Sequence, residues 1–272
     1  MHDELYAQIT EKIEKLEAMR RELVDEHRSI ETLSEVRRRV KGKPKKPKFA
    51  TGIPFFDEQM RGGFTHGTFV NIAGANFTGK TEFVLTVLSN ICKHRPVLFF
   101  SFEMYEDRIE ERTRHFTPEQ DANLLIEQRE NMLDQIEAII RDNAKSGVDF
   151  VAIDSRMKIV VPGAKEEYLK NSEISRRLSK LTQELGIVLL LINQISESDL
   201  RSGRPSLKGS GDQAYDSDVI LYLVDDKEGS GRVMVCEKDR INQRKWKQPY
   251  TLDDLRGKPS YTEVTYEMPE TA

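Results

Sequence analysis

The stretch "GANFTGKT", Gly74 to Thr81, constrains this chain more than any other. It follows the apolar run "FVNIA" and opens the helical pattern "GKTEFVLTVLSNICKH". Gly74 and Gly79 let the backbone turn so that the N–H groups of Ala75, Asn76, Phe77, Thr78 and Gly79 converge on one anion. The helix that follows adds its positive N-terminal end. At this spacing Lys80 reaches the β- and γ-phosphates of a nucleotide, and the Thr81 hydroxyl is placed to ligate Mg²⁺. Gly74, Ala75, Asn76, Phe77, Thr78, Gly79, Lys80 and Thr81 therefore read as a Walker A phosphate loop. A strand that delivers its chain through such a turn into a helix is the first half of an α/β crossover.

The rest of the chain fits that beginning. Short apolar runs recur at "VLFFSF", "FVAID", "IVLLLI", "VILYLV" and "VMVCEK", each of strand length and bounded by polar residues. Near-continuous apolar strands imply a sheet buried on both faces, hence mainly parallel. Helical patterns lie between them, including "EQDANLLIEQRENMLDQIEAIIRDNAK" as one helix and "EEYLKNSEISRRLSKLTQEL" as another. The alternation predicts an α/β doubly wound sheet flanked by helices. Strands near 219–238 and 260–267 have no long helix between them, which predicts an antiparallel extension. No apolar run approaches the roughly 20 residues of a bilayer span. Cys92 and Cys236 lack metal spacing and read as reduced thiols of a cytoplasmic protein. A net charge of −4 excludes a general basic coat and leaves room for a local basic site.

Residues 1–40 form a separate amphipathic, coiled-coil-like helix by pattern. Leu5, Ile9, Ile13, Leu16, Leu23, Ile30, Leu33 and Val36 recur at helical spacing with charges between them. Such a stripe calls for a neighbour: its own copy or a partner. The stretch "RRRVKGKPKKPK", 37–48, holds eight Lys or Arg and no acid. The basic linker, 41–49, reads equally as a solvated tether and as a phosphate-contacting arm. The expected organisation is thus helix 1–40, linker 41–49 and domain 50–272.

A phosphate loop needs a second carboxylate at the metal and a group to manage water. "VDFVAIDS" places Asp154 at the end of a strand, where open α/β sheets bind ligands. "VLFFSFEM" places Glu103 just past another strand, and "IVLLLINQ" ends a third with Asn193 and Gln194. Glu103 is compatible with a surface acid as well as a water-activating one, and Gln194 with a turn amide as well as a γ-phosphate reporter.

Together these residues carry a resemblance. "TGIPFFDEQMRGGFTHGTFVNIAGANFTGKTEF" resembles the opening of RecA-fold ATPases of the RadA, KaiC and DnaB group. "SFEM", "SEISRRLSKLTQELGIVLLLINQIS", "PSLKGSGDQAYDSDVILYL" and "CEKDRINQ" are similar, in order, to stretches of DnaB-type replicative helicases across roughly residues 50–250. The resemblance implies a RecA-like P-loop core. It implies ATP and Mg²⁺ as cofactors, held by Lys80, Thr81 and Asp154. It implies Glu103 as activator of the attacking water and Gln194 as the link to a DNA-facing loop. Lys238 and Arg240 would act from a neighbouring subunit as a finger pair. Loops at 156–168 and 195–210 would face single-stranded DNA through Arg156, Lys158, Lys165, Arg201, Arg204 and Lys208. The implied assembly is a homo-oligomeric, hexameric ring, bacterial or phage-encoded, with a possible replication partner on the N-terminal helix.

Three readings of function remain: an ATP-driven helicase motor on single-stranded DNA, a RecA- or RadA-like recombinase or KaiC-like switch, and a DNA-binding scaffold that does not turn over ATP.

Overall fold

The computed structural model describes residues 12, 31–42, 48–164, 166–195, 216–226 and 231–256. The chain divides into two units, Met1–Lys46 and Pro47–Ala272. In the first, helix α1 (Leu33–Val40) begins at a Thr32 capping box: the Glu35 N–H donates to the Thr32 hydroxyl at 3.3 Å, and the Thr32 N–H donates to the Glu35 carboxylate at 2.6 Å. Thr32 itself is extended, so this helix starts there rather than running through from upstream. The rest of the expected 1–40 helix, apart from Lys12, lies outside the described residues, as does most of the basic linker.

The second unit is an eight-stranded sheet in the order β3-β2-β4-β5-β1-β6-β7-β8. Its strands are β1 (Phe69–Gly74), β2 (Val97–Ser101), β3 (Leu124–Glu127), β4 (Phe150–Asp154), β5 (Val188–Gln194), β6 (Val219–Asp225), β7 (Arg232–Asp239) and β8 (Trp246–Tyr250). All neighbours from β3 to β6 are parallel, while β7 and β8 add antiparallel strands at one edge. The helices are α2 (Pro54–Gln59), α3 (Lys80–Ile91), α4 (Glu106–Thr113), α5 (Pro118–Asn123), α6 (Leu133–Lys145), α7 (Glu167–Leu185) and α8 (Leu252–Leu255).

The continuous apolar strands are explained by the parity of their side chains. Val70 and Ile72 of β1, Val97 and Phe99 of β2, Phe150 and Ala152 of β4, and Val188 and Leu190 of β5 pack on one face with Phe83 and Leu88 of α3. Their alternates, including Phe69, Phe100, Val151, Ile153, Leu189 and Leu191, pack on the other with Ile136 and Ile140 of α6 and Ile174 and Leu178 of α7. Truncating a fully buried ring such as Phe99 to alanine would cost about 3–5 kcal/mol.

One expectation is corrected. The segment expected as one helix over "EQDANLLIEQRENMLDQIEAIIRDNAK" contains a strand. Thr117 and Pro118 start α5 with a capping box, then Leu124 to Glu127 pair in parallel with Val97 to Phe100 before α6 begins. The antiparallel extension is present, and its outer strand runs from Trp246 to Tyr250, with Val233 opposite Pro249. Pro is tolerated there because β8 is an edge. The strand expected at 260–267 lies outside the described residues.

Candidate active site

The parallel register brings four strand ends into line. Gly74 sits opposite Gln194 on one side and Leu223 on the other, and Ser101 lies opposite Asp154. Ligands of open α/β sheets bind outside such carboxyl ends. The loop between β1 and α3 could not be built from larger residues. A Cβ on Gly74 would lie 2.4 Å from the Leu223 carbonyl oxygen. Gly79 has φ +94° and caps α3, and a Cβ there would meet Leu255 at 2.9 Å. Phe77 also has a positive φ, 65°, and its ring is 93% exposed. Residues with φ of opposite sign in sequence turn successive N–H groups toward one concavity, the arrangement that binds phosphate.

Lys80 crosses the mouth of this loop. Its ammonium donates to the Gly74 carbonyl at 3.0 Å and the Ala75 carbonyl at 2.6 Å. Burial lowers its pKa, against the opposing charges of Asp154 and Glu103. The Thr81 hydroxyl donates to Asp154 Oδ2 at 2.7 Å, linking α3 to the end of β4. Burial pushes the Asp154 carboxyl up to about 6. The Thr81 hydrogen bond works against that shift, the Glu103 charge adds to it, and Lys80 opposes it. Glu103 is exposed and accepts a hydrogen bond from the buried Ser155 hydroxyl. The Phe102 N–H donates to the Asp154 carbonyl at 2.7 Å, which ties the exit of β2 to β4. A cavity of about 830 Å³ opens beside these groups, lined by Glu103, Tyr105, Arg129, Met157, Lys158 and Gln194 among others. The donor set, a hydroxyl and a carboxylate side by side under an anion-binding loop, suits a hard divalent cation with phosphate oxygens.

The family model for the KaiC ATPase matches residues 49–254. The chain belongs to the KaiC ATPase family. In sequence this KaiC-family ATPase is 23% identical over 202 residues to the DNA repair protein RadA of Pseudomonas aeruginosa, covering 72% of the chain and 41% of RadA. It is 30% identical over 198 residues to a probable plasmid replicative DNA helicase of Chlamydia psittaci, covering 58% of the chain and 43% of that protein. It thus spans less than half the length of these relatives. In structure it resembles a KaiC-like protein of Pyrococcus horikoshii, with a TM-score of 0.62 and 21% identity over 76% of the chain and 95% of that protein. The RecA-like α/β core expected from the sequence is therefore the fold of this ATPase.

The remaining expected residues fall in different places. Lys238 and Arg240 lie at the far end of the sheet, because antiparallel β7 sets Asp239 opposite Val219 and parallel β6 sets Val219 opposite Val70. The Arg240 guanidinium pairs with Asp218 at 3.0 Å and is half exposed. Burial and the Arg240 charge lower the pKa of Lys238, while Asp218 and Asp216 oppose that shift. Lys158 is exposed on the turn after β4. Arg156, expected as a loop cation for phosphate, is instead enclosed at 4% exposure, and its Nε and Nη1 have no partner among the described residues. Asn193 is a core amide that donates to Asn71 on β1. Lys165, Arg201, Arg204 and Lys208 lie outside the described residues.

Three features escaped the sequence reading. The buried Tyr250 hydroxyl donates to the Thr78 carbonyl at 2.6 Å, bracing the phosphate loop from β8. Glu82, next after Thr81, is gripped by Arg112 at 3.0 Å and by Arg256 at 2.7 Å. Ser155 holds Glu103. Glu82 could have been noticed from its place beside "GKT". Tyr250 carries no local signal, being 172 residues from its partner.

Proposed function

We propose that this chain hydrolyses Mg·ATP at the interfaces of a ring of its own copies and uses the cycle to move along single-stranded DNA. The observation that carries this reading is the split of the site between the two ends of one sheet. Gly74 to Thr81, Asp154 and Glu103 share the carboxyl end of the parallel strands. Arg240 sits at the other, level with Phe69, five residue steps of β1 from Gly74, and Lys238 lies level with Asn71, three steps away, or about 16 Å and about 10 Å at about 3.3 Å per residue. Cations so placed are remote from their own phosphate loop, and suit the loop of another copy.

In this mechanism the loop N–H groups and Lys80 hold the triphosphate. Thr81 and Asp154 would hold a magnesium ion, which would supply positive charge beside the phosphate oxygens. The Glu103 carboxylate takes a proton from the attacking water. Gln194, at the end of β5 beside Gly74, responds to the γ-phosphate and passes the change into the segment that follows. The neighbour's Lys238 and Arg240 balance the charge that develops on the transferred phosphoryl oxygens. Lys158, with Arg201, Arg204 and Lys208 by sequence, contacts the DNA backbone without regard to sequence. The Chlamydia relative, a probable replicative helicase, supports the motor reading.

The test is strand displacement on a forked substrate with Mg·ATP beside Lys80→Ala. Unwinding by the wild type only, with turnover falling about 10²–10³-fold in the variant, is the expected result. ATP turnover without unwinding leaves an ATPase that is not a helicase. A second reading is favoured by the KaiC family match and the RadA likeness: ATP controlling assembly, as in a switch or recombinase. Electron microscopy with ATP and single-stranded DNA separates the two, since closed rings fit the motor and long helical filaments fit recombination.

A further inference from the structure

We infer that Ser155 is a positioning residue that fixes the Glu103 carboxylate for its work on the attacking water. The inference rests on the ATPase reading above. Glu103 lies past the end of β2, in an exposed bend, where a carboxylate on three rotatable bonds has no packing to choose its rotamer. Among the described residues, the hydrogen bond that holds its side chain comes from Ser155 Oγ. Ser155 has no exposure, so its hydroxyl is confined while the carboxylate it holds is not.

The position of Ser155 makes the restraint specific. Its neighbour Asp154 accepts from the Thr81 hydroxyl at 2.7 Å, and the Asp154 carbonyl accepts from the Phe102 N–H at 2.7 Å. One dipeptide at the end of β4 therefore grips the start of α3 with a carboxylate, the exit of β2 with a carbonyl, and Glu103 with a hydroxyl. Thr81, Asp154, Ser155 and Glu103 form a chain from the phosphate loop to the candidate base. A displacement of the loop on filling with phosphate has a direct mechanical route to the carboxylate. Ser155 touches neither nucleotide nor metal in this scheme and acts only through Glu103. Small errors in the placing of a reacting group are costly, so the loss of such a restraint is read in turnover rather than in binding.

The test is a double-mutant cycle of Ser155→Ala with Glu103→Gln, measured as ATP turnover and as KM for ATP. In the wild-type background Ser155→Ala is expected to lower kcat about ten- to a hundred-fold, the scale of losing a supporting hydrogen bond behind a reacting group, and to leave KM unchanged. In the Glu103→Gln background, followed by single turnover of labelled ATP, it is expected to cost almost nothing further. Equal losses in both backgrounds, or a loss in KM with kcat intact, would show a general structural role and overturn the inference. So would unchanged or faster turnover of Ser155→Ala. Ser155→Cys keeps the volume with a weaker donor and is expected to fall between, so the cycle can be run on it if the alanine variant melts early. Wild-type protein that turns over no ATP in any assembly state overturns the ATPase reading and this inference together, whereas active wild type with an equally active Ser155→Ala overturns the inference alone.

Discussion

At the carboxyl end of β1 the polar side chains hold one another across three elements. At its amino end they close on themselves. Around Gly74 the partners are Lys80 with two loop carbonyls, Thr81 with Asp154, and Ser155 with Glu103. Around Phe69, Asp218 accepts from the Phe69 N–H at 3.0 Å with one carboxylate oxygen and from Arg240 at 3.0 Å with the other. Burial disfavours the charged forms of both Lys80 and Asp154. Arg240, by contrast, is a charge already balanced and half exposed. The first end gains from an arriving ligand that brings negative charge and a cation. The second end presents a cation outward without needing one.

The largest expected effect tests whether the two ends serve one another across copies. Arg240→Ala should lower turnover by about 10³-fold or more, the scale of a finger supplied in trans. Glu103→Gln should lower it by about 10²–10⁴-fold, the scale of a lost general base. Mixed together, the two inactive variants should recover a substantial fraction of activity. An Arg240→Ala subunit still has Glu103, and a Glu103→Gln neighbour still offers Arg240. Titrating one variant against the other in a coupled ATPase assay checks it. No recovery at any ratio would mean that the ends do not meet.

The next effect belongs to the carboxyl end alone. The Asp154 pKa is raised from 3.8 to about 6 by burial. A raised folded-state pKa means the folded protein holds the proton more tightly than the unfolded chain. The stability this contributes is fully present below about 4 and is lost as pH rises through about 6, worth up to about 3 kcal/mol. Chelator-treated protein should therefore lose thermal stability between those values, and Asp154→Asn should flatten that stretch of the curve. An unchanged profile in the variant would assign the slope to other groups.

The two ends also differ in how far they could be read from sequence. The phosphate loop was legible because its chemistry lies within eight contiguous residues, Gly74 to Thr81, with a strand before and a helix after. Asp154, Glu103 and Gln194 were legible because each ends or follows an apolar run, and parallel register aligns such ends. The placing of Lys238 and Arg240 toward the opposite end of the strands was not, since it depends on the register of β7 on β6, which shifts between Ile220 and Leu221. Arg156 looked like a loop cation because only the fold encloses it. The strand Leu124–Glu127 was hidden between two helical periodicities and is selected by pairing with β2 rather than by its own pattern. Trp246–Tyr250 was masked by Lys247, Gln248 and Pro249, which an edge strand tolerates.

The smallest expected effect asks whether the carboxyl end also depends on that edge strand. Tyr250, at the end of β8, is 4% exposed and donates to the Thr78 carbonyl at 2.6 Å. Burial holds the phenol well above its ordinary pKa, so it stays a neutral donor. Leu252 and Leu255 follow it and close on Gly79, so the segment braces the loop at two points. Tyr250→Phe keeps the ring and removes only the donor, leaving a carbonyl short of a partner. The loss is about 1 kcal/mol, or about 2–4 °C in melting temperature for a domain of this size. Because Thr78 belongs to the cradle and not to the reacting atoms, the kinetic cost should appear as a KM for ATP raised about fivefold with kcat intact. A variant that instead lost kcat at constant KM would place the β8 brace in the chemistry. The phosphate loop would then be one part of a site that the far edge of the sheet also shapes.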